Sequence, residues 1–147
     1  MSRLVEVVDI IQNVHGLEIE DSAVIAASDW SKGVIKLNYG LIKKIGYTDD
    51  EITAVLFHEL GHIIDKRCYT DCSVHNHNME YRADEYAAKM TNRPEDLIHF
   101  LLRTERYYAA RSDQSWHTHP STIDRAYNLG LDGNSIANRF NNFYQEK

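Results

Sequence analysis

The sequence is short of the residues that staple, break or anchor a chain. Its 147 residues hold two cysteines, Cys68 and Cys72, too few for a disulfide framework and too close together to close a useful loop. A reducing compartment is the expectation. Two prolines, seven glycines and no repetitive stretch exclude the Pro-rich and Gly-rich disordered classes. The formal charge of −6 is spread along the chain with no basic run, which disfavours nucleic acid and acidic lipid as partners. Long hydrophobic runs are also missing. The opening MSRLVEVVDIIQNVHG places Glu6 and Asp9 among its apolar residues, so it has neither a secretory h-region nor the roughly 20 apolar residues of a membrane span. These absences lead to the expectation of a soluble, cytoplasmic protein, made in a cell or in a phage-infected host. Oligomeric state is not legible.

What is present is a globular balance, 43% hydrophobic and 26% charged residues, at a length that supports one core. One domain over residues 1–147 is expected, with no boundary or internal repeat. Leu4, Val7, Val8 and Ile11 recur at helical spacing over 3–14, and Gly16 offers a stop. Three β-prone runs follow, LEIE at 17–20, AVIAA at 23–27 and VIKLN at 34–38, the last two joined by the turn SDWSKG. They predict a small antiparallel sheet. At Thr48, TDDE reads as a capping box opening a helix over about 49–66, whose apolar positions Ile52, Val55, Leu56, Leu60, Ile63 and Ile64 wrap widely enough to make it central and buried. Further helices are expected over 79–91, from Pro94 to about Arg111, from Pro120, and over 134–146. The fold class is therefore α+β, a small sheet packed on one central helix with further helices after it.

That central helix carries HELGH, His58 to His62. Imidazoles at i and i+4 lie on one helix face and can reach one metal ion, with Glu59 beside them in reach of a metal-bound water. Eight histidines in the chain raise the rate of chance matches. However, two His and a Glu inside a buried helix are costly unless paired. Catalytic zinc takes three protein ligands and keeps a water position open, so a third ligand is required. Glu80, in MEYRADEYAA on the next predicted helix, completes a His₂Glu set for one zinc per chain. Asp84, one turn further along the same face, is placed to accept the other ring N–H of a ligand histidine, the alternative being a surface acid.

HExxH followed by ExxxD, here His58, Glu59, His62, Glu80 and Asp84, resembles the signature of gluzincin metallopeptidases. The stretch SAVIAASDWSKGVIKLNYGLIKKIGYTDDEITAVLFHELGHIID looks like the strand, active-site strand, helix and motif helix of the gluzincin family containing HtpX and the CAAX prenyl proteases. HTHPSTIDRAYNL is similar to that family's THP segment. The resemblance implies a zincin-like fold and a zinc-dependent endopeptidase acting on peptide or protein substrates, in the compact form called a minigluzincin. It implies that His119 faces the site as a donor to the oxyanion, with His117 a near-equivalent competitor, and that Arg125 braces the site. A helix-start histidine and a surface arginine are the plain alternatives. Resemblance to gluzincins also suggests VIKLN as an exposed edge strand to which an extended peptide could add.

Two other classes remain open. HELGH and the short spacing to Glu80 are shared by ImmA/IrrE-type regulatory gluzincins, which cleave a specific partner. The other is a metal-bound but inactive interaction module, against which the intact Glu59 argues. Cys68, Cys72, His75 and His77 fall in a loop that reads either as a second metal or redox site or as a plain polar connection. Tyr107, Tyr108, Phe100, Leu101 and Leu102 read as core, and the segment from Asn134 as a surface helix rather than a lid.

Overall fold

A capping box starts the element around which the rest is arranged. In the computed structural model, which describes residues 4–14, 16–19, 25–29, 32–65, 77–110 and 120–145, Thr48 accepts from Glu51 N at 3.1 Å while the Glu51 carboxylate accepts from Thr48 N at 3.2 Å. The helix that follows runs Asp49–Ile64, with three acidic residues in its first turn opposing the positive end of its dipole.

The element order is α1 (Leu4–Val14), β1 (Leu17–Ile19), β2 (Ala26–Asp29), β3 (Val34–Leu37), α2 (Tyr39–Ile45), α3 (Asp49–Ile64), α4 (His77–Thr91), α5 (Pro94–Ala110), α6 (Thr122–Asn128) and α7 (Gly133–Gln145). This is an α+β architecture with a three-stranded sheet. Among the described residues no helix is long and apolar enough to cross a membrane.

The sheet corrects the sequence reading. Its order is β1-β3-β2, with β2 and β3 antiparallel but β1 parallel to β3, so it is mixed rather than antiparallel. A meander would have put β2 in the middle. Instead β1 joins the far edge of β3, leaving VIKLN as the inner strand and β2 as an edge. Of AVIAA, Ala26 and Ala27 lie in the described strand, which reaches Asp29 in what read as turn. Pairing aligns Ala26 with Leu37 and Ser28 with Ile35. Directly opposed residues share a sheet face. Ile35 and Leu37 are buried, so Ala26 and Ser28 also look onto the core side, where α3 packs.

Helix α2 comes from local signals that hydrophobic period alone misses in seven residues. Asn38 caps its start by accepting from Leu41 N at 3.0 Å, and Gly46, at φ 83°, ends it in the left-handed conformation. At the other end of the chain, Ser121 caps α6 by accepting from Asp124 N, so Pro120 precedes the cap rather than occupying the first turn.

The main core joins Val7 and Ile11 of α1, Ile35 and Leu37 of β3, and Leu56, Phe57 and Leu60 of α3 to Leu97 and Phe100 of α5. Ile64, expected inside, is exposed at the last turn of α3. A second cluster sets Ile98 and Leu102 on another side of α5 against Ala126 of α6 and Ile136 and Phe140 of α7. Phe100, Leu102 and Tyr108 are thus core residues, with Leu101 and Tyr107 packed on the main cluster. The start of α3 is tied to α5 by Arg103, whose Nε and Nη2 donate to Glu51 at 2.9 and 3.1 Å.

Helices α3 and α4 touch where α3 has no side chain. A Cβ on Gly61 would lie 3.3 Å from Ala83 Cα and 3.2 Å from Tyr86 Cδ1. Contact with a backbone atom leaves little room to relax. Gly61→Val is therefore expected to cost about 2–3 kcal/mol through overpacking, measured as a shift in the urea midpoint. An unchanged midpoint would mean that the two helices are not held this closely.

Candidate metal centre

Glycine-mediated approach of α3 to α4 brings together side chains that neither helix could bury alone. His58 and His62 project from one face of α3 with ring centroids 4.7 Å apart and planes at 88°. Glu80, in the first turn of α4, inserts its carboxylate between them, Oε2 lying 3.1 Å from His58 Nε2 and Oε1 3.5 Å from His62 Nε2. All three residues are buried, and their ligand atoms lie within 4.8 Å of one another.

The donor set fits zinc. Bonds of about 2.0–2.1 Å in a tetrahedral arrangement put neighbouring ligand atoms roughly 3.3 Å apart. The observed 3.1 and 3.5 Å run to the two different Glu80 oxygens, and one ligand atom from each residue lies within 4.8 Å of the others. Two neutral imidazoles and a carboxylate are a set that zinc accepts, as do other divalent ions such as iron(II). His58, His62 and Glu80 could therefore hold such an ion.

A layer of charge lies behind the three. Asp84, fully buried one turn along α4 from Glu80, meets His58 Nδ1 at 2.8 Å through Oδ1. Arg125 reaches in from α6 and grips Asp84 with two hydrogen bonds, Nε to Oδ2 at 2.8 Å and Nη2 to Oδ1 at 2.7 Å, and approaches Glu80 Oε2 at 3.5 Å. Burial would raise the Asp84 carboxyl, but the Arg125 guanidinium and His58 outweigh it and hold that carboxyl below its usual range. Burial also works against charge on Arg125, and Asp84, Glu80 and Glu59 more than restore it. Arg125 is thus a buried member of the cluster, not the surface charge of the plain alternative.

Glu59 follows His58 on α3 and is 8% exposed, at the rim of the cluster. Its side-chain oxygen Oε2 accepts from the Ser28 hydroxyl of β2, which also lies 2.8 Å from the Glu59 carbonyl oxygen. Sequence reasoning missed Ser28. Ser28 fell in the run read as turn, and its partner lies 31 residues downstream. His77 is exposed at the start of α4. His119, His117, Cys68, Cys72 and His75 lie outside the described residues.

The sequence pattern of Peptidase family M48 matches residues 18–77. That span takes in β2, β3 and all but the first residue of β1, with α2 and α3 carrying His58, Glu59 and His62, and ends before Glu80. The match supports a gluzincin-type metallopeptidase, and with it peptide or protein substrates. Peptidases of this family depend on a metal, and the His58, His62 and Glu80 group could hold one. No curated protein and no solved structure matches the chain.

The acids beside His58 raise its affinity for a proton. Burial lowers the affinity of His58 for it, but Asp84 and Glu80 outweigh burial and raise His58 from its ordinary 6.5 to about 10. A histidine raised in this way stabilises the fold fully below pH 6.5, and that contribution is lost as pH rises through about 10. A metal must displace the proton. Zinc added to metal-free protein at pH 8 is expected to release about one proton per chain, read from calorimetric enthalpies in two buffers of different ionisation heat. Equal enthalpies would show that His58 is already neutral.

The brace behind His58 gives a second expected outcome. Arg125→Met leaves Asp84 and Glu80 without their guanidinium and should weaken zinc binding by about 10–100-fold in competition with a chromophoric chelator. Unchanged affinity would separate Arg125 from the ligands.

Proposed function

We propose that this chain, supported as a gluzincin-type metallopeptidase by its match to family M48, is a zinc-dependent endopeptidase working in the cytoplasm. The observation that carries the reading is the convergence of two histidine Nε2 atoms and the Glu80 carboxylate beside Glu59. His58, His62 and Glu80 are the proposed ligands of one zinc. When bound, zinc supplies Lewis-acid chemistry, polarising the scissile carbonyl and acidifying a water.

The chain's own groups do the rest. Glu59 is the proposed general base, taking a proton on its carboxylate from the attacking water and returning it to the leaving amine. Its place one residue after His58, at the rim of the buried cluster, supports that role. Asp84 orients the His58 ring through Nδ1, and Arg125 fixes Asp84, so the imidazole presents Nε2 to the metal. His119 is the proposed donor to the developing oxyanion, a role implied by resemblance. An extended peptide has an available edge at β2, whose antiparallel pairing with β3 uses its other side.

Glu59→Gln is expected to keep one zinc per chain by elemental analysis while hydrolysis of casein falls by about 10²–10⁴-fold. Glu80→Gln should lose zinc and activity together. Retained hydrolysis in the Glu59 variant would overturn the assignment of the base. Turnover of casein also separates a general endopeptidase from an enzyme that cleaves one regulatory partner.

A further inference from the structure

The core-facing side of β2 ends on a polar residue. Ala26 and Ser28 share that side with Leu37 and Ile35, and both strands pack on α3. At Ser28 the strand passes over Glu59, and the half-buried hydroxyl meets both the carboxylate and the carbonyl oxygen of that one residue. A glutamate with three rotatable side-chain bonds at the rim of a site is free to turn outward unless something holds it. Among the described residues, this is the hydrogen-bonding contact that the sheet makes with Glu59.

We propose that Ser28 is a positioning residue for Glu59, fixing the carboxylate in the orientation from which it exchanges protons with water and leaving group. The inference rests on the endopeptidase reading, because only there does that orientation govern turnover. The geometry suits repeated use. A serine hydroxyl has one hydrogen and here two acceptors, the carboxylate and the carbonyl at 2.8 Å. While Glu59 carries a proton and turns to the leaving amine, the hydroxyl can donate to the carbonyl. Releasing the carboxylate then strands no buried donor, and the strand stays docked on the helix. Since Ser28 lies on the edge strand proposed to receive substrate, it also links peptide placement to placement of the base.

Zinc-loaded Ser28→Ala and Ser28→Thr proteins, compared with the unsubstituted chain on a fluorogenic peptide, test this. The alanine variant is expected to keep its zinc and a KM within about twofold while kcat falls roughly tenfold or more, the pattern of a misplaced catalytic group. The threonine variant, which retains the hydroxyl, should recover kcat to within about threefold. Unchanged kcat in Ser28→Ala, or loss of zinc and kcat together without rescue by threonine, would overturn the proposal. Crystal structures of the unsubstituted and alanine proteins make the test independent of activity. The Glu59 carboxylate should leave its place when the hydroxyl is removed, and an unmoved carboxylate overturns the proposal. If the unsubstituted protein loads zinc yet cleaves nothing, the endopeptidase reading fails, while the carboxylate position still decides whether Ser28 holds Glu59.

Discussion

The carboxylates of Glu59, Glu80 and Asp84 are buried where α3, α4 and α6 meet, and among the described residues Arg125 is the guanidinium set against them. Ionised carboxylates in a low-dielectric interior are costly unless opposite charge is supplied nearby. Arg125 balances one, and among the described residues two negative charges are left. Asp84 and Glu80 raise the affinity of His58 for a proton, and a proton there relieves part of that excess. A divalent cation among His58, His62 and Glu80 would relieve all of it and leave both imidazoles neutral. The charge balance thus points to a metal on grounds separate from the spacing of HELGH.

The surrounding fold serves that junction. Gly61 lets α4 come close enough for Glu80 to enter between the two histidines. Arg82 and Asp65 then tie the end of α3 to α4, Nε to Oδ2 at 2.5 Å, close to where the connection between them begins. At the other end of α3, the Glu51 pairing with Arg103 and the 2.6 Å hydrogen bond between Tyr47 and Thr104 anchor the helix start to α5. A helix held at both ends presents His58 and His62 with little freedom, as a preorganised centre requires.

Much of this was legible because its determinants are local. The capping box at Thr48, the i, i+4 histidines and the glutamate on the next helix are set by spacing within one element or its neighbour, and the structure places α3 and α4 where those patterns put them. Strand pairing is a different kind of information. Whether β1 joins β2 or β3 is a matter of long-range pairing, and alternation along a strand is the same in either case. The expectation that VIKLN is an edge failed for that reason. Ser28 was invisible for a related one, since a single hydroxyl in a short strand carries no pattern until the sheet is laid on the helix. Arg125 was reached by resemblance alone, and its burial against Asp84 follows from the packing of α6.

The central claim is that the excess negative charge at this junction is answered by a divalent ion on two histidines and a glutamate. Diffraction from zinc-loaded crystals on either side of the zinc absorption edge tests it directly. The account predicts one anomalous peak per chain, about 2.0–2.2 Å from His58 Nε2, His62 Nε2 and a Glu80 oxygen. A strong peak elsewhere in the chain, or none at this junction in crystals grown with excess zinc, would contradict it.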